Sequence, residues 1–114
     1  EIAALYTSAF AGVAGVTPPP VDLANEHIFH QYTIRAERRE ALLAHLKSRG
    51  IGHKVYYPLA LHLQPCFEYL GVRAGALPIT ERATAEVVSL PIYPELASAQ
   101  TDAVIAAVRE FYQG

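Results

Sequence analysis

The sequence predicts an α+β fold: a small, mostly antiparallel sheet of about three strands, helices packed on one face, and the other face left for a larger partner. Three observations lead there. Residues alternate with period two across His27–Arg35, two short β-branched or aromatic runs follow at His53–Tyr57 and Val87–Tyr93, and long segments near both ends repeat with helical period. The helix between the first two strands also permits a parallel crossover, which ranks second because the strands look half-buried rather than apolar on both faces.

Ile2, Leu5, Tyr6, Ala9, Phe10 and Val13 lie at i, i+3, i+4, i+7 and i+8 spacing, one stripe along a helix. Gly12 and Gly15 loosen its end, and Pro18, Pro19 and Pro20 forbid continuation, so Val16–Asn25 reads as a stiff connector. Ile28, His30, Tyr32 and Ile34 then share one face of a strand. Glu37–Arg49 is helical without a strong cap, with Leu42, Leu43 and Leu46 inward and a left-handed stop at Gly50 closed by Ile51. His53–Tyr57 makes a second strand, ended by Pro58. Pro65 opens a short helix through Leu70, and Thr80 caps another with Glu81 in its first turn. Val87 and Val88 either continue that helix or begin a third strand. Ser98 caps a final helix bearing Val104, Ile105, Val108, Phe111 and Tyr112.

At 114 residues with 52% hydrophobic and 18% charged content, the chain is expected to be one folded domain. Its formal charge of -2 gives no cationic field for nucleic acid, and no apolar run reaches the roughly 18 to 20 residues of a bilayer span. The single Cys66 closes no intrachain bridge, which fits a soluble, reducing, cytoplasmic setting. Glu1 falls inside a helix with neither Met nor signal peptide before it, so the chain reads as a piece of a longer protein.

His27 and His30 look like a metal pair, but three residues apart on a strand they point to opposite faces; no metal site is expected. His30 reads as a hydrogen-bonded, partly buried imidazole. Lys47 and Lys54, the two lysines, lack any sign of a desolvating pocket, and Gly50-Ile51-Gly52 lacks the spacing of a phosphate loop. The segment Tyr56–Pro65 is the candidate site: strand-end aromatics, a proline turn and His62 are how a scaffold projects polar groups into a cleft. Its plain alternative makes Tyr57 a core residue and Gln64 a helix cap.

His30-Gln31-Tyr32, Arg49-Gly50-Ile51-Gly52, Tyr57-Pro58, His62, Gln64-Pro65, Leu77-Pro78 and Ser89-Leu90-Pro91-Ile92-Tyr93-Pro94-Glu95-Leu96, in this order and spacing, resemble the C-terminal part of the DegT/DnrJ/StrS sugar aminotransferases. The resemblance runs from about Val16 to the end. It implies a pyridoxal 5'-phosphate-dependent homodimer that moves an amino group from glutamate to a keto sugar on a nucleotide. It further implies that residues 1–15 lead in from a large domain and 16–114 form the small one. Cofactor-binding and catalytic groups would then belong to the large domain, and this chain alone would be inactive. Among its own residues the resemblance implies substrate-binding roles for His62, and less directly for Tyr57 and His30. Many relatives carry His at the position of Tyr56, and the much higher pKa of a phenol weakens the case for a proton relay there. Arg35, Lys54 and Arg73 are open candidates for a pyrophosphate.

Two rivals stand beside this reading. One is a dehydratase of the same family that lacks the Schiff-base lysine; the other is a free-standing interaction module of α+β type. The enzyme reading expects a bare apolar face and a poorly anchored first helix; the module reading expects neither.

Overall fold

The fold is built around a three-stranded antiparallel sheet in the order β1-β2-β3, formed by Val16–Thr17, Tyr32–Ala36 and Val87–Leu90. A computed structural model describes residues 1–114. Four helices complete the chain: α1 (Ile2–Phe10), α2 (Arg39–Ser48), α3 (Pro78–Glu86) and α4 (Ser98–Gln113). Two 3-10 turns, Leu61–Leu63 and Pro65–Leu70, lie between α2 and α3. This is the predicted α+β architecture, with both strand pairings antiparallel.

Alternation in β2 decides what covers what. Tyr32, Ile34 and Ala36 are buried and pair across the sheet with Leu90, Val88 and Val16, so one face is continuous and apolar. Tyr6 and Phe10 of α1, Leu42 and Leu46 of α2, and Val104 and Val108 of α4 join the same core. Thr33, Arg35 and Ser89 take the opposite face, where Thr33 and Ser89 share a 2.7 Å hydrogen bond and Arg35 pairs with Glu86 at 2.7 Å.

The first helix is firmly anchored, contrary to the expectation. The Tyr6 ring packs 5.1 Å from that of Tyr32 and its hydroxyl donates to the Pro91 carbonyl at 2.8 Å. Burial pushes the Tyr6 phenol up to about 12. Thr7 shares a 2.9 Å hydrogen bond with the Tyr32 hydroxyl. The bare apolar surface lies elsewhere: the sheet face opposite the core is polar, whereas the segment from Tyr56 to Ile79 carries most of the exposed large apolar side chains.

Other expectations shift at their edges. The connector after α1 begins with β1, because Val16 and Thr17 reach the end of β2. The first predicted strand starts only at Tyr32: Phe29 has φ 49°, a left-handed conformation that breaks extended geometry, and Ile28 is 87% exposed. The second, His53–Tyr57, shrinks to a single bridge between Lys54 and Ser89. The structure makes Val87–Leu90 a strand rather than helix.

Caps also move. Arg38, at φ 52°, precedes α2 without a side-chain cap, and its guanidinium sits 4.6 Å from the Phe111 ring centre. At the other end, Gly50 is left-handed and the Ile51 amide donates to Leu46 at 2.9 Å, the predicted stop. Thr80 does not cap α3; Pro78 occupies its first position and Glu81 takes over the capping bonds. Ala97 rather than Ser98 caps α4, its amide donating to Gln100 Oε1 at 3.1 Å. Gly15 is required: a Cβ there would lie 2.7 Å from the Tyr112 ring.

Candidate functional site

After Lys54 the chain leaves the sheet, and between Gly52 and Val87 only Ala60 and His62 are buried. A segment with so little apolar cover must be held by other means. The means is Glu81, in the first turn of α3. Its Oε1 lies 3.0 Å from His62 Nε2, both carboxylate oxygens accept the Gly75 amide at 2.9 Å, and Oε1 accepts the Leu77 amide at 3.2 Å. The Gly75 amide, and next the His62 ring, hold the Glu81 carboxyl below the usual carboxylate range. An ionised carboxylate only accepts, so Nε2 carries the hydrogen of this bond. Nδ1 of the same ring is buried without a hydrogen-bond partner.

His62 also lines a cleft of about 580 Å³, together with Gln64, Pro65, Glu68 and Arg73. A second cleft, of about 640 Å³, is lined by His30, Gln31, His53, Lys54 and Tyr56 and has no acidic residue among its walls. The largest, about 940 Å³, runs between the start of α1 and the 92–96 segment, past Leu5, Ile28 and Tyr93.

The predicted site residues are therefore spread out. His30 is exposed at the border of the second and third clefts, not partly buried between Ile28 and Tyr32 as expected, because the strand begins after it. Tyr57 is 66% exposed, which removes its core alternative, and it does not line these clefts. It meets Tyr56 edge-on, with ring centres 5.8 Å apart. Gln64 precedes the second 3-10 turn, but its backbone carbonyl rather than its side chain receives the Phe67 amide. His27 Nδ1 accepts the Phe29 amide at 2.9 Å, so the strand argument separating His27 from His30 gives way to local turn geometry.

Among the three open cations, Arg35 is paired with Glu86, Arg73 shares its cleft with Glu68, and Lys54 faces the acid-free groove. Lys47 and Lys54 are both exposed. Neither is desolvated, so this chain's residues do not fit a covalently held pyridoxal phosphate. Sequence reasoning missed the Glu81 hub. A carboxylate in a first turn next to Pro78 hints at capping, but nothing local joins it to a histidine 19 residues earlier.

The model of the DegT/DnrJ/EryC1/StrS aminotransferase family matches residues 1–109. This chain belongs to that family. Its aminotransferase relatives include the dTDP-3-amino-3,4,6-trideoxy-alpha-D-glucose transaminase of Streptomyces venezuelae, 39% identical over 96% of this chain and 29% of that protein. A Geobacillus stearothermophilus relative named pleiotropic regulatory protein is 49% identical over 97% of the chain and 30% of its own length. Among solved structures, S. venezuelae DesV in complex with a ketimine intermediate superposes with a TM-score of 0.95 at 38% identity, over 99% of this chain and 30% of DesV. A family aminotransferase from Brucella abortus gives 0.89 at 34%, again over 99% of this chain and 30% of its own. The chain thus spans about 30% of the length of these family members. None of its helices is long and apolar enough to cross a membrane.

Proposed function

We propose that this chain is the small domain of a pyridoxal-phosphate-dependent aminotransferase that transfers an amino group from glutamate to a nucleotide-linked keto sugar. It forms one wall of the cleft that receives substrate. The observation that carries this reading is the likeness to DesV along nearly the whole chain, in both sequence and shape, with the transaminase name of its S. venezuelae relative as support. The cofactor, when bound, supplies the carbonyl chemistry of amino transfer; it would be held by the remainder of the protein, in a cytoplasmic homodimer.

On this reading His62 shapes the substrate wall, held there by Glu81, while Tyr57 and His30 present exposed polar tips to the sugar nucleotide. Lys54 is the cation best placed for a pyrophosphate, since its groove contains no competing carboxylate. Residues 1–15 form the lead-in from the large domain while packing into this domain's core.

The test uses the full-length protein with glutamate and nucleotide-linked keto sugars. Stoichiometric 2-oxoglutarate and an aminated sugar nucleotide are expected; binding of both substrates without 2-oxoglutarate contradicts the reading. A second reading, a regulatory member of the family, is favoured by the name of the G. stearothermophilus relative. It predicts that second outcome.

A further inference from the structure

The segment from Leu61 to Leu77 has little apolar support of its own, with His62 its one buried side chain. It contains two short 3-10 turns and exposes Leu61, Tyr69, Leu70 and Leu77. What ties its ends is one side chain. Glu81 takes His62 from the beginning of the segment and the amides of Gly75 and Leu77 from its end. Between those ties lie Gln64, Glu68 and Arg73, which with His62 line the cleft of about 580 Å³. One carboxylate therefore ties both ends of the loop and holds the imidazole by Nε2.

We propose that Glu81 is a positioning residue for substrate: by holding His62 Nε2 and the Gly75 and Leu77 amides together, it keeps the 61–77 loop as a preformed wall for the nucleotide-linked sugar. This rests on the proposed function and adds a residue that touches no substrate itself. Preformation matters because a loop ordered only on binding subtracts that ordering from affinity. The charge-assisted character of the bonds matters too, since an ionised acceptor binds amide donors more strongly than a neutral one. The depressed Glu81 carboxyl is consistent with a group kept ionised for this work. Gly75, at φ 90°, adopts the left-handed turn that presents its amide to the carboxylate.

The experiment compares full-length wild type with Glu81→Ala, Glu81→Gln and Glu81→Asp, reading steady-state kinetics and amide hydrogen exchange. In Glu81→Ala, KM for the sugar nucleotide rises about tenfold, the glutamate half-reaction keeps its wild-type rate, and the Gly75 and Leu77 amides exchange at least tenfold faster. Glu81→Gln keeps an acceptor oxygen but not the charge and falls between the two; it also serves if Glu81→Ala does not fold. Glu81→Asp, one methylene short, does not reach all three partners and stays near Gln. Unchanged exchange overturns the proposal. So does faster exchange with an unchanged KM, which makes Glu81 a purely structural cap. A wild-type protein that transfers no amino group sinks the proposed function instead; the exchange arm and sugar-nucleotide affinity then decide whether Glu81 still sets the wall.

Discussion

The two halves of the molecule are held by different forces. Every member of the 15-residue core cluster lies outside residues 52–86, in α1, α2, α4, the sheet strands and their flanks. Inside residues 52–86 lie nine of the fourteen large hydrophobic side chains left exposed, among them Leu61, Tyr69, Leu70 and Ile79. The radius of gyration, 15.5 Å, exceeds the roughly 13 Å of a close-packed domain this long, in keeping with a packed half that carries an outspread one. Apolar burial keeps the first half together; a few hydrogen bonds centred on Glu81 keep the second. Cavities should break one, and loss of charge the other.

The largest expected effect is in the packed half. Phe10 is fully buried and stacked 5.8 Å from Tyr6, so Phe10→Ala costs about 3–5 kcal/mol and should be read by denaturant unfolding of the full-length protein. A loss below about 1 kcal/mol would mean that α1 does not belong to this core.

Hydrogen exchange sharpens the contrast without mutation. Amides of β2 and β3, paired at four positions from Tyr32↔Leu90 to Arg35↔Val87, should exchange at least a hundredfold more slowly than the amides of residues 61–77. Equal rates would erase the distinction between the halves.

Acid should loosen the second half first. The Glu81 carboxyl is lowered chiefly by the Gly75 amide, and that of Glu86 chiefly by Arg82 with a further bond from Arg35. A carboxyl whose folded pKa lies below its unfolded one stabilises fully above the ordinary carboxylate range and loses that contribution as pH falls through the folded value. Proteolysis within 61–77 should therefore accelerate on acidification before the near-ultraviolet signal of Tyr6 and Tyr32 is lost. Simultaneous loss would contradict this order.

The smallest effect belongs to the exposed side chains. Ile79 is 80% exposed, so Ile79→Ser in residues 1–114 alone should change stability by no more than about 0.5 kcal/mol, by thermal melting.

The same division explains what could be read from the residues. The 3.6-residue stripes of α1, α2 and α4, the Tyr32–Ile34 alternation and the Gly50 stop were visible because they record burial against a continuous core. Alternation continued back to Ile28 without meaning, since nothing packs on Ile28 and Phe29 turns the chain. The two residues of β1 are too few to form a pattern, and of the second predicted strand only Lys54 pairs, with Ser89. In the candidate site, His62 stood out by its type and context. Its partner did not, because a bond between a loop and a later helix has no periodic signature.

The most direct test of the central idea, that the 56–79 surface is built to be covered by the rest of a larger enzyme, is hydroxyl-radical footprinting of the full-length protein beside residues 1–114 alone. Leu61, Tyr69, Leu70 and Ile79 should be several-fold less labelled in the full-length protein, while fully buried Tyr32 stays low in both. Equal labelling of those four residues in the two proteins would contradict the account.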